Sequence, residues 1–468
     1  MALQSSLMFS VRRRKPELIP PAKPTPREYK CLSEIDDQGG YRFQFPVILF
    51  YRNIDPAMCG IDAVKVIREA IGKVLVFYYP FAGRLREGPG RKLIVDCNAE
   101  GVLFIEADAD VSLQQFGDTI CPPFPCMDEF LYEVPGSEGI ADSPLLLIQV
   151  TRLICGGFIV AVRLNHVMSD VLGLSQFLTA VGEIACGRQS PSVKPVWKRE
   201  LLNARDPPRV TCVHHEFDDV DKVHTNGKKP KSLDQPVHRN FFFGPTEIAA
   251  LRKHVPSHLQ ACSTYELVTA CLWRCRTVAL QLDPDDEVRL LFPVNVNRRS
   301  KTRPPLPVGF YGNAFVLPAG LSTAGKLCWN PLSYALELVM KVKSNATDEY
   351  MRSLADLMVI KRQPHYKVAG SFVVPDVTRA GLCNVDFGWG KAVYGGPAKA
   401  DVGTIPGIMS MHIPFKNSNI EEGAIVVPIF LSEPAMERFA EELANMIGGP
   451  LLDPYAKTTV SGLVRSAL

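Results

Sequence analysis

Residues 158–173 read FIVAVRLNHVMSDVLG, and this stretch decides the fold. An apolar run of about strand length ends at His166, and a helical pattern begins close to Asp170. In open α/β sheets the carboxyl ends of the strands border the ligand crevice. The stretch therefore predicts a strand that delivers a histidine to a site, where an imidazole titrates near neutral pH and can act as a general base.

The spacing His-x-x-x-Asp is a weak signal by itself, because it occurs three times in the chain. The other two copies begin at His214 and His215, in a polar run that is typical of a solvated linker. Only the copy at His166 lies between a buried-strand pattern and the start of a helix. Its context therefore singles out His166, whereas the bare spacing does not.

Composition places the chain among globular proteins and excludes several function classes. Of 468 residues, 46% are hydrophobic and 22% charged, which is ordinary for a soluble protein. A net charge of +3 without a long basic block argues against a nucleic-acid partner. Thirteen cysteines at irregular spacing, without CxxC, predict reduced thiols in a cytoplasmic protein and no metal site. The N-terminus lacks a signal peptide's apolar core, and no segment is predicted to span a membrane.

Strands and helices alternate in both halves, which predicts an α/β fold with mixed sheets. Residues 145–153 and 158–164 are predicted to form a hairpin around Cys155-Gly156-Gly157. Residues 92–96 and 102–107 are predicted to be a second pair of strands, and residues 383–387 a short strand.

A polar, proline-bearing segment at residues 190–232 predicts a crossover between two domains. The expected boundaries are an N-terminal domain at 1–190, a linker at 191–235 and a C-terminal domain at 236–468.

A second motif, DFGWG, follows the first by about 215 residues. Together with HVMSD it resembles the BAHD family of plant acyl-CoA-dependent acyltransferases, which carry HxxxD in mid-chain and DFGWG near the C-terminus. The resemblance covers essentially the whole chain, because further stretches similar to the family occur in the right order: YPFAGR (79–84), STYELVTACLWRCRT (263–277) and PPLPVGFYGNA (304–314). The segments at 23–51 and 371–390 look most like the alcohol acyltransferase branch.

This resemblance implies a fold like that of chloramphenicol acetyltransferase. Two similar-sized domains with mixed sheets and flanking helices would enclose a solvent channel, with His166 reachable from both mouths. Acyl-CoA would be a co-substrate, no cofactor would be bound permanently, and the protein would be a cytoplasmic monomer. The branch implies an ester product from benzoyl-, p-coumaroyl- or feruloyl-CoA and a primary alcohol such as benzyl alcohol or a monolignol.

His166 is the candidate general base, because an alcohol attacks a thioester poorly until its proton is removed. The alternative is a core histidine whose polar atoms the backbone satisfies. Asp170 could orient the imidazole as in a catalytic triad. The family pattern instead favours a structural role for Asp170, in a pair with Arg299. Gly173 is predicted at a point of close backbone approach.

Three further sets of residues are candidates, each with a structural alternative. The DFGWG motif could form a wall of the acyl pocket, but the family pattern favours a structural loop. The motif consists of Asp386, Phe387, Gly388, Trp389 and Gly390. Ser263 and Thr264 begin a helix, and could either bind the phosphates of coenzyme A or simply cap the helix. Tyr311 and Asn313, in a glycine loop, are candidate oxyanion donors.

No residue pairs with His166 as a nucleophile in the sequence, so direct attack in a ternary complex is the simpler mechanism. Two alternatives stay open. One is a family member with another acceptor, such as a flavonoid, a shikimate or an amine. The other is a non-catalytic relative that binds acyl-CoA. The sequence does not identify the acyl-CoA or the alcohol.

Overall fold

A computed structural model describes residues 7–53, 58, 60–117, 120–137, 139–217, 236–295, 305–362, 364–399, 407–417 and 420–449. In chain order its strands are β1 (Val11–Arg13), β2 (Glu17–Ile19), β3 (Tyr29–Cys31), β4 (Gln44–Tyr51), β5 (Arg84–Glu87), β6 (Leu93–Asp96), β7 (Val102–Ala109), β8 (Leu146–Leu153), β9 (Phe158–Asn165), β10 (Val237–Phe243), β11 (Glu287–Leu291), β12 (Val294–Asn295), β13 (Phe315–Val316), β14 (Ala319–Thr323), β15 (Ser371–Val373), β16 (Tyr394–Pro397), β17 (Ile413–Asn417) and β18 (Ile420–Leu431). The helices are α1 (Ala63–Val74), α2 (Met127–Phe130), α3 (Val171–Ala185), α4 (Pro245–Arg252), α5 (Thr264–Leu280), α6 (Ala324–Trp329), α7 (Leu332–Asn345), α8 (Asp348–Ile360) and α9 (Glu433–Ile447).

A seven-stranded mixed sheet forms the centre of the first half, in the order β1-β7-β8-β9-β4-β16, with β2 also paired to β7. Strands β7 and β8 are parallel, whereas β9 is antiparallel to both β8 and β4. Buried aliphatic and aromatic residues fill both faces of β9, as expected for a strand in the middle of a covered sheet. The fold is therefore α/β with mixed sheets, as the sequence predicts.

The second half has its own hydrophobic core, in which α5 packs against α7 and α9 beside short sheets. These sheets have the orders β10-β18-β17 and β14-β11-β15, and β11 pairs in parallel with β15. One strand of the late chain leaves this half: β16 pairs with β4 in the first sheet. The domain boundaries stay a prediction, and β16 links the halves across them.

Two of the strand predictions are wrong. Strands β6 and β7 exist, but β6 lies between β3 and β5, while β7 pairs with β1, β2 and β8. The chain passes to another sheet at the turn before β7, where Gly101 has a positive φ and a Cβ atom would lie 2.3 Å from the Ile19 carbonyl. The predicted strand at residues 383–387 is instead a 3-10 turn at Leu382–Asn384, which follows the left-handed Gly381.

The hairpin of β8 and β9 is confirmed, and so is the helix that follows Asp170. The described part of the crossover is aperiodic, as predicted, but polar contacts tie it to α8. Arg205 binds the buried Asp356, and the backbone amides of Thr211 and Cys212 donate to Ser353 Oγ. A long segment without periodicity is thus fixed by specific hydrogen bonds.

Candidate active site

His166 follows directly after β9, where the strand turns toward α3. Its backbone amide donates to the carbonyl of Phe43 (2.9 Å), the last residue before β4 is reached. A single 3-10 turn, His166–Met168, then leads to Asp170, the N-cap of α3. The imidazole is half-buried at the carboxyl end of a central strand, where the sequence predicts it.

Within the described part of the chain, four aromatic rings surround the His166 imidazole. Their centroids lie 5.0 Å away for Tyr41, 5.3 Å for Phe43, 5.8 Å for Phe45 and 6.2 Å for Phe315. This apolar setting disfavours the charged form, so burial lowers the pKa of His166 below its ordinary value of 6.5. The imidazole is therefore neutral at pH 7, which is the state that accepts a proton.

The Nδ1 atom of the His166 ring lies inside the protein. Nδ1 is enclosed and, in the described part of the chain, has no hydrogen-bond partner of good geometry. Three groups partly oppose the lowering of the pKa of His166: the backbone carbonyl of the histidine itself, the Asn313 side chain and the negative charge of Asp36. Among the described residues no carboxylate is hydrogen-bonded to the ring, so the arrangement differs from a Ser-His-Asp triad.

A buried polar cluster of Asp36, Arg199 and Asn313 holds the backbone of the His166 turn. Asp36 Oδ1 accepts hydrogen bonds from Arg199 Nη1 (2.7 Å) and from Asn313 Nδ2 (3.0 Å). Arg199 Nη2 donates to the Met168 carbonyl (2.8 Å), and Asn313 Nδ2 donates to the His166 carbonyl (2.9 Å). All three side chains are at most 1% exposed.

Sequence reasoning missed Asp36 and Arg199 as members of the site. Asp36 lies in a turn-rich segment and Arg199 in the polar crossover, and neither position has a local pattern that predicts burial. Their pairing joins segments 163 residues apart. Only the tertiary fold brings these two charged residues together, since the local sequence around each of them predicts exposure to solvent.

The Asp170 carboxylate lies over the start of α3 and does not reach the imidazole. Its Oδ1 accepts from the Gly173 amide (2.9 Å), as an N-cap does. Burial raises the pKa of Asp170 to about 6, opposed by the amides of Gly173, Ala314 and Leu172 and by the charge of Arg199. The predicted partner Arg299 lies outside the described residues.

Gly173 lies where α3 meets the loop before β13. A Cβ atom there would be 2.1 Å from Ser169 Oγ and 2.2 Å from the Tyr311 carbonyl. Ser169 Oγ donates to that same carbonyl (2.6 Å), so the contact joins the two halves of the chain. This geometry supports the prediction of close backbone approach at Gly173.

The two candidate oxyanion donors are differently placed. Both hydrogens of Asn313 Nδ2 are used, one by Asp36 and one by the His166 carbonyl, which leaves neither for an oxyanion. The Tyr311 ring packs against Tyr78, Phe81 and Trp197 and borders a cavity of about 130 Å³. That cavity is smaller than ordinary ligand pockets. The oxyanion role stays a prediction for both residues.

The DFGWG motif packs at the opposite end of β9. Asp386 Oδ1 accepts from the amides of Gly388 (2.7 Å) and Gly390 (2.9 Å), which both have positive φ. The Trp389 ring meets Phe158, the first residue of β9, edge to face at 5.2 Å. His166 lies eight residues after Phe158, which corresponds to about 26 Å along the strand at 3.3 Å per residue. This placement favours the structural interpretation of the loop.

Ser263 and Thr264 begin α5. Ser263 Oγ caps the Glu266 amide (3.2 Å), and the Glu266 carboxylate accepts from the Ser263 amide (2.7 Å). Glu266 also pairs with Lys343 (2.8 Å). A carboxylate therefore already lies at this helix N-terminus, which favours capping, and the coenzyme A role of both residues stays a prediction.

Among the described residues, no group of three or more His, Cys, Asp or Glu side chains could hold a metal ion. In the same part of the chain, no helix is both long and apolar enough to cross a membrane.

Comparison with known proteins gives matches over nearly the whole chain. The family model named Transferase family matches residues 9–446. A benzyl alcohol O-benzoyltransferase from Nicotiana tabacum is 63% identical over 443 residues, which are 95% of each chain. An alcohol acyl transferase 1 (allele GSa) from Malus domestica is 53% identical over 449 residues, 95% of this chain and 96% of the relative.

Among solved structures, vinorine synthase has the same fold. It aligns with a TM-score of 0.68 at 22% identity, over 93% of this chain and 98% of that one. At this identity the likeness concerns the fold alone.

Proposed function

The chain belongs to the Transferase family, the BAHD acyltransferases, and from that premise we propose that it esterifies a primary alcohol with an aromatic acyl group. Family membership and the alcohol acyltransferases among its relatives make it an acyl-CoA-dependent O-acyltransferase, with acyl-CoA as co-substrate. The finer proposal concerns the substrates and the base. Benzoyl-, p-coumaroyl- or feruloyl-CoA is the donor, and benzyl alcohol or a monolignol is the acceptor.

One observation carries this proposal: a neutral histidine that is enclosed by aromatic rings at the end of β9. Phe43, Phe45 and Phe315 form an apolar wall on which a flat aromatic substrate can pack. The 63% identity to a benzyl alcohol O-benzoyltransferase supports the same substrate class.

His166 acts as general base through Nε2, because Nδ1 is enclosed beside its own carbonyl. The imidazole removes the hydroxyl proton as the alcohol oxygen forms a bond to the thioester carbon. The tetrahedral intermediate then collapses, the C–S bond breaks, and the imidazolium returns the proton to the leaving thiolate. Both substrates are bound together, so no acyl-enzyme forms.

The protein is a cytoplasmic monomer in this proposal. No disulfide joins the cysteines in the described part of the chain, which fits a reducing compartment. Sedimentation of the purified protein and imaging of a fluorescent fusion test these two statements.

A matrix of acyl-CoAs against alcohols, read by mass spectrometry, tests the substrates, and His166→Ala tests the base. We expect His166→Ala to lose about 10²- to 10⁴-fold in kcat with an unchanged melting temperature. His258→Ala is the matched control, because His258 is exposed on a 3-10 turn of the second half.

Three results would contradict the proposal. Ester formation at the wild-type rate by His166→Ala would exclude the general-base role. Thiol release that does not depend on alcohol would indicate a hydrolase. Binding of acyl-CoA without consumption in the presence of any alcohol would indicate a non-catalytic relative.

A further inference from the structure

One segment of the first half contacts His166 in three ways. Residues 33–43 provide the Asp36 carboxylate, which binds Asn313 and through it the His166 carbonyl. They also provide the Phe43 carbonyl, which accepts from the His166 amide. The third contact is the Tyr41 ring, which stacks on the imidazole, while the Phe43 ring of the same segment meets the imidazole at a steeper angle.

A histidine base needs a fixed ring orientation, which a hydrogen bond to its second nitrogen ordinarily supplies. Here the described residues offer Nδ1 no carboxylate, and the Asp170 carboxylate caps α3 instead. The buried polar cluster fixes the main chain of His166. Its Asn313 side chain lies beside the ring but makes no hydrogen bond of good geometry to Nδ1, so the ring can still rotate about its own side-chain bonds. Packing against the ring must therefore restrict that rotation.

Tyr41 is the neighbour whose geometry fixes a plane. Its ring lies nearly parallel to the imidazole, with centroids 5.0 Å apart and an interplanar angle of 18°. Phe43, Phe45 and Phe315 meet the imidazole at 52°, 61° and 58°, so they enclose it without matching its plane.

A chain of hydrogen bonds holds Tyr41 itself. Its hydroxyl lies 3.3 Å from the Tyr366 hydroxyl, which donates to Gln38 Oε1 (2.6 Å). Gln38 Nε2 in turn donates to the Ile35 carbonyl (2.9 Å). Gly40 allows this approach, because a Cβ atom there would be 2.8 Å from the Tyr366 ring. Tyr366 comes from the second half, so the stack is complete only when the halves are together.

We propose that Tyr41 is a positioning residue that sets the plane of the His166 imidazole, and that Tyr366 and Gln38 hold Tyr41 in place. The inference rests on the proposed general-base role of His166. It assigns to an aromatic stack the orientation that a carboxylate provides in a triad. Tyr41 acts through His166 and takes no part in proton transfer.

The charged groups around Tyr41 are consistent with this passive role. Burial, with the negative charges of Glu216, Asp170 and Asp36, raises the pKa of its phenol. The Tyr366 hydroxyl opposes that rise but does not reverse it. Tyr41 therefore stays a neutral phenol over the pH range in which His166 titrates.

The test compares Tyr41→Leu, which removes the ring, with Tyr41→Phe, which keeps the stack and loses only the hydroxyl. We expect Tyr41→Leu to lower kcat by about 10- to 100-fold, the scale of a small misplacement of a catalytic group, with little change in KM. The acidic limb of its kcat/KM profile should move to higher pH, because the imidazole loses part of its apolar cover. Tyr41→Phe should restore kcat to within a few-fold.

Either of two outcomes would overturn the inference. A rise in KM without loss of kcat would make Tyr41 a wall of the substrate pocket. A wild-type rate and pH profile in Tyr41→Leu, with His166→Ala inactive, would refute the positioning role alone. An active His166→Ala would refute the proposed function instead.

A measurement on the wild type keeps the inference falsifiable should Tyr41→Leu not fold. In an NMR spectrum of protein labelled with ¹³C at histidine Cε1, the His166 resonance is identified as the one that is absent from the spectrum of His166→Ala. A ring stacked on Tyr41 should shift the resonance of the attached proton upfield of that of the exposed His258, which is identified by its absence from His258→Ala. An unshifted resonance in the wild type would contradict the stack.

Discussion

The two ends of β9 place the two sequence motifs in opposite environments. At the carboxyl end, a buried polar cluster holds the turn that carries a half-buried imidazole, and His166 Nδ1, Asn313 Oδ1 and Arg199 Nε lack partners among the described residues. At the amino end, Phe158 lies between Tyr51, stacked at 4.7 Å, and Trp389. One strand thus has the proposed active site at one end and a closed aromatic core at the other.

This difference favours the HVMSD motif over the DFGWG motif as the place of the proposed chemistry. Imperfectly satisfied polar atoms reduce stability, and proteins commonly retain them where function requires them. A filled aromatic core adds stability and leaves no room for a substrate. We therefore expect damage at the amino end to change stability alone, and damage at the carboxyl end to change turnover as well.

Loss of Arg199 should have the largest effect at the carboxyl end. Arg199→Met leaves Asp36 buried without its partner, which should cost about 3–5 kcal/mol in the free energy of unfolding. It also frees the Met168 carbonyl, so kcat of the remaining folded protein should fall. Urea unfolding and steady-state kinetics measure the two effects.

Arg205→Met is the matched control, since Arg205 binds the fully buried Asp356 far along the crossover. It should destabilise the protein without lowering kcat. Equal loss of kcat in both variants would mean that the cluster at Arg199 has no specific link to His166.

Trp389→Ala should be nearly as destabilising and yet leave turnover intact. Removal of a buried aromatic side chain costs about 3–5 kcal/mol, because the lost contacts leave a cavity beside Phe158. At a temperature where the variant is folded, kcat per folded molecule should equal the wild-type value. A large fall in kcat would place the DFGWG loop in the catalytic site and remove the contrast between the two ends.

Gly173→Ala should have a smaller effect on stability, about 1–3 kcal/mol, because the new methyl group overlaps Ser169 Oγ and the Tyr311 carbonyl. Gly72→Ala, in the interior of α1, is the control, since its nearest contact is an ordinary 3.5 Å. That change should be neutral or stabilising in thermal unfolding. Equal losses of stability in the two variants would mean that close backbone approach is not the reason for a glycine at position 173.

Local patterns predict much of this molecule and miss the part that depends on long-range contact. The strand that ends at His166, the helix capped by Asp170 and the box of Ser263 with Glu266 all follow from residues close together in sequence. The prediction that β6 pairs with β7 is wrong, because the other strands of each sheet determine the register and the partner of a strand. Asp36 and Arg199 escaped prediction for the same reason, since no local signal marks a charge that burial will pair.

The most direct test of the central claim is the pH dependence of kcat/KM in the wild type and in Asp170→Asn. Two groups near the turn titrate in the acidic range: His166, with a pKa below 6.5, and Asp170, with a pKa of about 6. A general base works in its neutral form, so kcat/KM should rise with pH through the pKa of His166 and then level off.

Because asparagine also caps helices well, Asp170→Asn should stay folded and keep that acidic limb. Loss of the limb in Asp170→Asn, or a wild-type profile without one, would contradict the role of His166 as the base.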